Sequence, residues 1–260
     1  MPAYKTIACL FALLAGAPTM RGDVIELTPS RDTSLYSDKP SFSNGAGDYL
    51  FAGATNNGVD YLRRALVAFD FQSLPAGAVL TGAELRLTVS RRPQPDAGSR
   101  DFSLHRMTSS WGEGTSDAPG EEGAGVGAAA EDASWAFRRQ SPALSWTTPG
   151  GDFDPAASTA FALGEVGVYL VQSPGMVADV QGWIDGAPNE GWILLGDELH
   201  DATARRINSR NDPDTGPLLT LTYQVVPEPA TLTLLLPGLA LALARRRASP
   251  AASGSSRAES

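Results

Sequence analysis

Between residues 23 and 225 the apolar and polar positions alternate with a period of two. Ala65, Val67, Phe69 and Phe71 alternate with Leu66, Ala68 and Asp70, which predicts a strand buried on both faces for most of its length. Leu85, Leu87 and Val89 alternate with Glu84, Arg86 and Thr88 as in a half-exposed strand, and Leu219, Leu221, Tyr223 and Val225 repeat the pattern at the end of the region. Shorter strands are expected around 24–27, 49–52, 102–104, 168–171, 192–195 and 205–208, separated by Gly, Pro and Asn turns. One stretch keeps helical spacing instead: Met176, Val177, Val180, Trp183 and Ile184, with Gly186 as its stop. The pattern predicts an all-β fold, an antiparallel β-sandwich of jelly-roll type, with one short helix capping an end and Trp183 turned inward. The 27 glycines and 19 prolines agree, since they suit many turns and leave no room for long helices.

Residues 112–132 follow neither period. They are rich in Gly and Ala and carry Glu113, Asp117, Glu121, Glu122, Glu131 and Asp132 with no basic residue, which predicts a long mobile loop.

The two ends have a different character. Lys5, the apolar stretch 7–17 and the small residues Ala15-Gly16-Ala17 read as a secretory signal cut between Ala17 and Gly22. Cys9 is the only cysteine, so the mature chain would hold no disulfide and no thiolate metal site. At the far end Pro227-Glu228-Pro229 precedes an apolar run over 230–244 and the cluster Arg245-Arg246-Arg247. Fifteen helical residues reach roughly 22 Å, short of the roughly 30 Å of a bilayer core. Pro237-Gly238 interrupts the run, and the arginines would hold its end in the cytoplasm. Such a span suits a segment held transiently in the membrane and then cut.

This tail resembles the PEP-CTERM sorting signal of Gram-negative bacteria. The resemblance implies that Pro227, Glu228, Pro229 and Arg245 to Arg247 are read by an exosortase, a membrane transpeptidase. It also implies that the carrier is exported to the cell surface or an extracellular biofilm matrix. The chain divides on this reading into a signal peptide (1–22), one β domain (23–224), a sorting segment (225–247) and a polar, disordered tail (248–260).

Charge narrows the partners. Residues 23–226 carry 14 Lys and Arg against 27 Asp and Glu, a net charge of −13. That balance argues against nucleic acid and anionic lipid, which need clustered cations. A polyanionic sugar would meet the same repulsion unless a cation bridged it, whereas a neutral glycan would not.

Little in the chain suggests catalysis. His105 and His200 are far apart, no serine stands in a nucleophile elbow, and no His pair has metal-ligand spacing. No cofactor is implied, apart from a structural calcium for which Asp152 with Asp154 and Asp212 with Asp214 are the candidate donors. Ordinary turn chemistry is the competing reading of both pairs. Among the five tryptophans, Trp183 and Trp192 sit in apolar surroundings and read as core. Trp111, Trp135 and Trp146 border the Gly-rich region, and Trp111 and Trp146 are the candidate sugar platforms, with core packing as the alternative.

The order of the pieces resembles a DNRLRE-type domain, a family related to polysaccharide-binding modules. The resemblance rests on Arg64 to Pro75 (RALVAFDFQSLP), Ala83 to Leu87, Trp111-Gly112-Glu113-Gly114, Trp146 to Phe153 (WTTPGGDF), Ala178 to Trp183, Asn189 to Leu195 and Pro217 to Tyr223. In the signature segment Arg205-Arg206-Ile207-Asn208-Ser209-Arg210 is followed by Asn211 where the family has a glutamate. The resemblance implies a non-catalytic module that binds polysaccharide weakly. The alternatives are a structural matrix protein without a discrete ligand and, third, a polysaccharide-cleaving enzyme.

Overall fold

The computed structural model describes residues 22–94 and 98–225. The rest of the expected signal peptide, the motif Pro227-Glu228-Pro229, the apolar run, the arginine cluster and the polar tail lie outside the described residues. Among the described residues no helix is long and apolar enough to cross a membrane.

In chain order the strands are β1 (Asp23–Leu27), β2 (Arg31–Tyr36), β3 (Phe42–Ser43), β4 (Tyr49–Ala54), β5 (Leu62–Ala68), β6 (Ala78–Arg91) and β7 (Arg100–Met107). There follow β8 (Val126–Gly127), β9 (Phe137–Arg139), β10 (Leu144–Ser145), β11 (Phe153–Leu163) and β12 (Gly167–Gln172). After α1 (Pro174–Ile184), the single helix among the described residues, come β13 (Trp192–Leu195), β14 (Arg205–Asn208) and β15 (Leu218–Val225). Over the described residues the fold is thus all-β with one short helix, and eleven strands join into one curled antiparallel sheet.

Long β6 organises one part of that sheet. It pairs with β15 (Leu219 opposite Leu85), with β12 (Tyr169 opposite Leu87) and, near its end, with β14 (Arg206 opposite Arg91). In the other part β5 pairs with β2 and β13, and β13 continues to β7 and β11. Strand β4 joins the two, running beside β14 through Tyr49–Ala52 and beside β5 through Gly53 and Ala54.

The alternation read from the sequence has a direct packing cause. Leu85, Leu87 and Val89 enter the main core with Leu104, Trp192, Ile207, Leu219 and Leu221. Strand β5 feeds two cores: Ala65 and Val67 enter the main one, whereas Leu66 and Ala68 join Leu35, Met107, Trp111, Trp146 and Ile193. Both faces of β5 are apolar because both are covered.

The helix starts where Ser173 turns extended and its Oγ accepts from the Met176 amide at 3.1 Å, with Pro174 pre-set in the first turn. It stops at Gly186, whose φ of +105° no longer fits a helix. Met176, Val180 and Trp183 are its buried face, as their spacing predicted, and they pack into the main core beside β6 and β11.

The acidic segment 112–132 is packed rather than mobile. Asp132 is fully buried, and its carboxylate accepts from the Ala129 amide (2.7 Å) and the Ser116 amide (3.4 Å). Glu122 is also buried and accepts from Asn44 Nδ2 (2.7 Å), the Tyr49 amide (2.9 Å) and the Asp48 amide (3.0 Å). These acids supply the acceptors that an irregular backbone needs where no strand partner exists. The glycines of Trp111-Gly112-Glu113-Gly114 serve close approach: a Cβ on Gly112 would lie 1.9 Å from the Glu131 carbonyl oxygen, and one on Gly114 1.3 Å from Asp132 Oδ1.

Gly53 is the point where β4 changes partner. Its φ is +110°, and a Cβ there would meet Ala204 Cα at 2.8 Å. A left-handed L-residue costs roughly 1–2 kcal/mol and overpacking roughly 1–3. Gly53→Ala is therefore expected to lower Tm by on the order of 5–10 °C. An unchanged thermal unfolding curve would mean that the β4 corner is not rigid.

Candidate functional site

Strand β14 places Arg205 and Arg206 between β4 and β6, and β6 ends on Arg91 with Arg92 next to it. The ladder sets Arg206 directly opposite Arg91 on one side and opposite Phe51 on the other. With Arg63 of β5, these side chains line a groove of about 360 Å³ that is closed by Thr55, Gln94, Glu121 and Gly123. Five of the domain's 14 basic residues thus border one groove in a domain of net charge −13, with Arg63 and Arg205 buried and Arg91, Arg92 and Arg206 reaching the surface.

Each arginine is held differently. Arg205 points inward and is fully buried, with Nε donating to the Gly164 carbonyl (2.9 Å) and Nη1 to the Thr203 carbonyl (3.0 Å). Arg63 is buried on the ring of Tyr36 (4.7 Å) and paired with Asp38 at 2.6 Å. Arg206 lies over the face of Tyr49 at 3.8 Å, and its Nε donates to Ser90 Oγ at 3.1 Å. Arg92 pairs with Glu165 at 3.0 Å. Arg91 and Arg206 both reach Glu121 Oε2, the former at 2.6 Å. Cross-strand like charges repel, and this one carboxylate lets the two guanidinium groups share the groove. Chemically, stacked and hydrogen-bonded guanidinium groups of this kind are able to bind carboxylate, sulfate or phosphate oxygens in fixed directions.

The candidates named from the sequence lie elsewhere. Trp111 is 2% exposed and Trp146 5%, and their Nε1 groups donate to the carbonyls of Glu190 and Ser134. Neither can offer an indole face to a sugar, so both platform assignments are corrected to core. Trp192 is fully buried, and Trp183 is closed between Phe71 (5.8 Å, stacked) and Trp192 (4.7 Å, edge-on). Half-buried Trp135 lies under Arg64 at 4.7 Å.

The aspartate pairs form turns. Burial alone would raise the Asp152 carboxyl, but hydrogen bonds from the Thr147 and Thr148 amides and Ser109 Oγ outweigh it and hold the group below the usual carboxylate range. Hydrogen bonds from the Thr215 hydroxyl and amide, joined by the Asp214 amide and Asn208 Nδ2, likewise lower Asp212. Asp154 accepts from the Ala156 amide and Arg106. The oxygens of Asp152, Asp154 and Asp212 thus accept from N–H and O–H donors, and no three His, Cys, Asp or Glu side chains converge among the described residues as a metal set would. His105 is hydrogen-bonded to Ser103 Oγ and to the Asp154 carbonyl, while His200 pairs with Asp197. The two histidines have separate local partners.

The doublets Arg91-Arg92 and Arg205-Arg206 are visible in the sequence, but their meeting depends on the pairing of β14 with β6, which the alternation does not specify. Comparison with protein-family models and with curated proteins finds no match for this chain. The resemblances to PEP-CTERM and DNRLRE-type proteins rest on the quoted residues alone.

Proposed function

We propose that this chain is an exported, non-catalytic surface or matrix protein whose curled sheet is a jelly-roll-like β-sandwich that binds an anionic polysaccharide through the arginine groove. The tail from Pro227-Glu228-Pro229 to Arg245-Arg246-Arg247 delivers it through an exosortase. The observation that carries the binding reading is the gathering of Arg91, Arg92 and Arg206 at the surface of one groove of an acidic domain, over the buried Arg63 and Arg205. Net charge governs long-range approach, but affinity at contact is set by the groups within a Debye length of the ligand, about 8–10 Å in physiological salt. The net repulsion that disfavours polyanions is thereby offset locally, and a neutral glycan would gain hydrogen bonds from these guanidinium groups but not the charge pairing.

The test is affinity electrophoresis of the purified protein through gels holding dextran, dextran sulfate or polygalacturonate. Retardation by the two anionic polymers but not by dextran is expected. In the double variant Arg91→Ala/Arg206→Ala retention should fall roughly tenfold or more, because each charge-assisted hydrogen bond contributes on the order of 1.5–3 kcal/mol. Unretarded migration of the folded protein through every gel would leave the structural matrix role in place of binding. Shortened sugar chains recovered from the gel would point to cleavage.

A further inference from the structure

The groove already contains a carboxylate. Glu121 Oε2 takes hydrogen bonds from Arg91 and Arg206 at once, which is the contact an anionic ligand would make. We propose that Glu121 is a built-in competitor, so that a ligand enters the groove by displacing the Glu121 side chain. The inference rests on the anionic-ligand reading above and concerns how that site is regulated.

Three observations support displacement over permanent closure. The Glu121 side chain is 68% exposed, so its carboxylate can turn into water without moving the backbone. The adjoining Glu122 is buried on Asn44, Asp48 and Tyr49, so the loop stays anchored when Glu121 leaves. Arg206 is only 15% exposed and keeps its contacts with Tyr49 and Ser90, so a receptor remains once the competitor is gone. Exposed ion pairs contribute little net stability, hence the competitor is displaced at small cost while still raising the threshold for weak or singly charged ligands.

The experiment compares retention of the full protein by dextran sulfate for wild type, Glu121→Gln and Glu131→Gln. Glu131 pairs with Arg139 elsewhere in the same segment and is 58% exposed, so its variant changes net charge equally without touching the groove. Glu121→Gln is expected to strengthen retention about three- to tenfold and Glu131→Gln by less than about twofold. Equal strengthening by both variants would overturn the inference in favour of a long-range charge effect. Binding by wild type with no gain in Glu121→Gln would overturn it while leaving the anion-binding function intact. Absence of retention in wild type and Glu121→Gln alike would overturn the binding function itself, and the inference with it.

Discussion

Glu122→Ala is expected to destabilise the domain by on the order of 3–5 kcal/mol and to open the segment around residues 116–127 to proteolysis. The wild-type carboxylate answers one side-chain and two backbone donors in a buried position. Removing it leaves Asn44 Nδ2 and the Asp48 and Tyr49 amides without an acceptor, and hydrogen bonds to charged groups contribute roughly 1.5–3 kcal/mol each. Glu122 also holds φ at +61°, which the alanine would have to keep without the contacts that hold it there. Glu122→Gln keeps one acceptor oxygen and should fall between wild type and alanine. Urea unfolding measures the loss, and a broad-specificity protease followed by mass spectrometry locates the opening. A change below about 1 kcal/mol with an unaltered digestion pattern would show that the segment is held by its other contacts, such as the Tyr36 hydroxyl on the Glu122 carbonyl.

That segment marks where the sequence stops being legible. Elements whose burial is apolar are readable in advance: β6 through Leu85, Leu87 and Val89, and α1 through Met176, Val180 and Trp183. Strand β2 has no such signature, because three of its buried residues are Asp32, Thr33 and Ser34, whose partners are the Glu113, Ser43 and Phe51 groups of distant segments. Strand β11 contains Pro155 and a run of Ala and Ser, which resembles a loop in sequence. It tolerates the proline at the end of the strand order, where β7 is its ladder partner. The loop itself shows six acids and many glycines, the composition of a solvated segment. Hydrogen-bond acceptance by buried Glu122 and Asp132 reverses the expectation, and nothing in a one-dimensional charge pattern separates an acid that caps a loop from one that solvates it.

The groove was half legible for a related reason. Arginine doublets in an acidic chain can be seen, but opposing them across β14 and β6 requires the register. For Trp111 and Trp146 the sequence left a sugar platform and core packing open, and burial decides for core packing. In the fold both rings pack into the second core with Leu35, Leu66, Met107 and Ile193, while the neighbouring Gly112 and Gly114 close against Glu131 and Asp132.

Asp32 gives the second large effect, and its sign is opposite to that of a typical paired carboxylate. It is 1% exposed, and its Oδ2 accepts from the Arg210 amide at 2.8 Å. Glu113 accepts from the Asp32 amide and forms a two-pronged pair with Arg210. Burial pushes the Asp32 carboxyl up to about 7, against the lowering effect of the Arg210 amide, and the charge of Glu113 adds to the rise. Below the ordinary carboxylate pKa near 3.8 both folded and unfolded chains hold the proton, so Asp32 contributes no pH dependence there. As pH rises from about 4 to about 7 the unfolded chain releases that proton while the folded one keeps it, and stability falls by roughly 1.4 kcal/mol per unit. Asp152, Asp197 and Asp212 act with the other sign, because their folded-state pKa values are lowered and their contributions are lost in acid. Asp32→Asn keeps an acceptor for the Arg210 amide and removes the titration. Relative to wild type, the variant is therefore expected to gain on the order of 3 kcal/mol between pH 4.5 and pH 7.5, measured by urea unfolding at both values. A wild-type to variant difference that stays constant across that range would mean Asp32 is already ionised in the folded protein, with Arg210 outweighing burial.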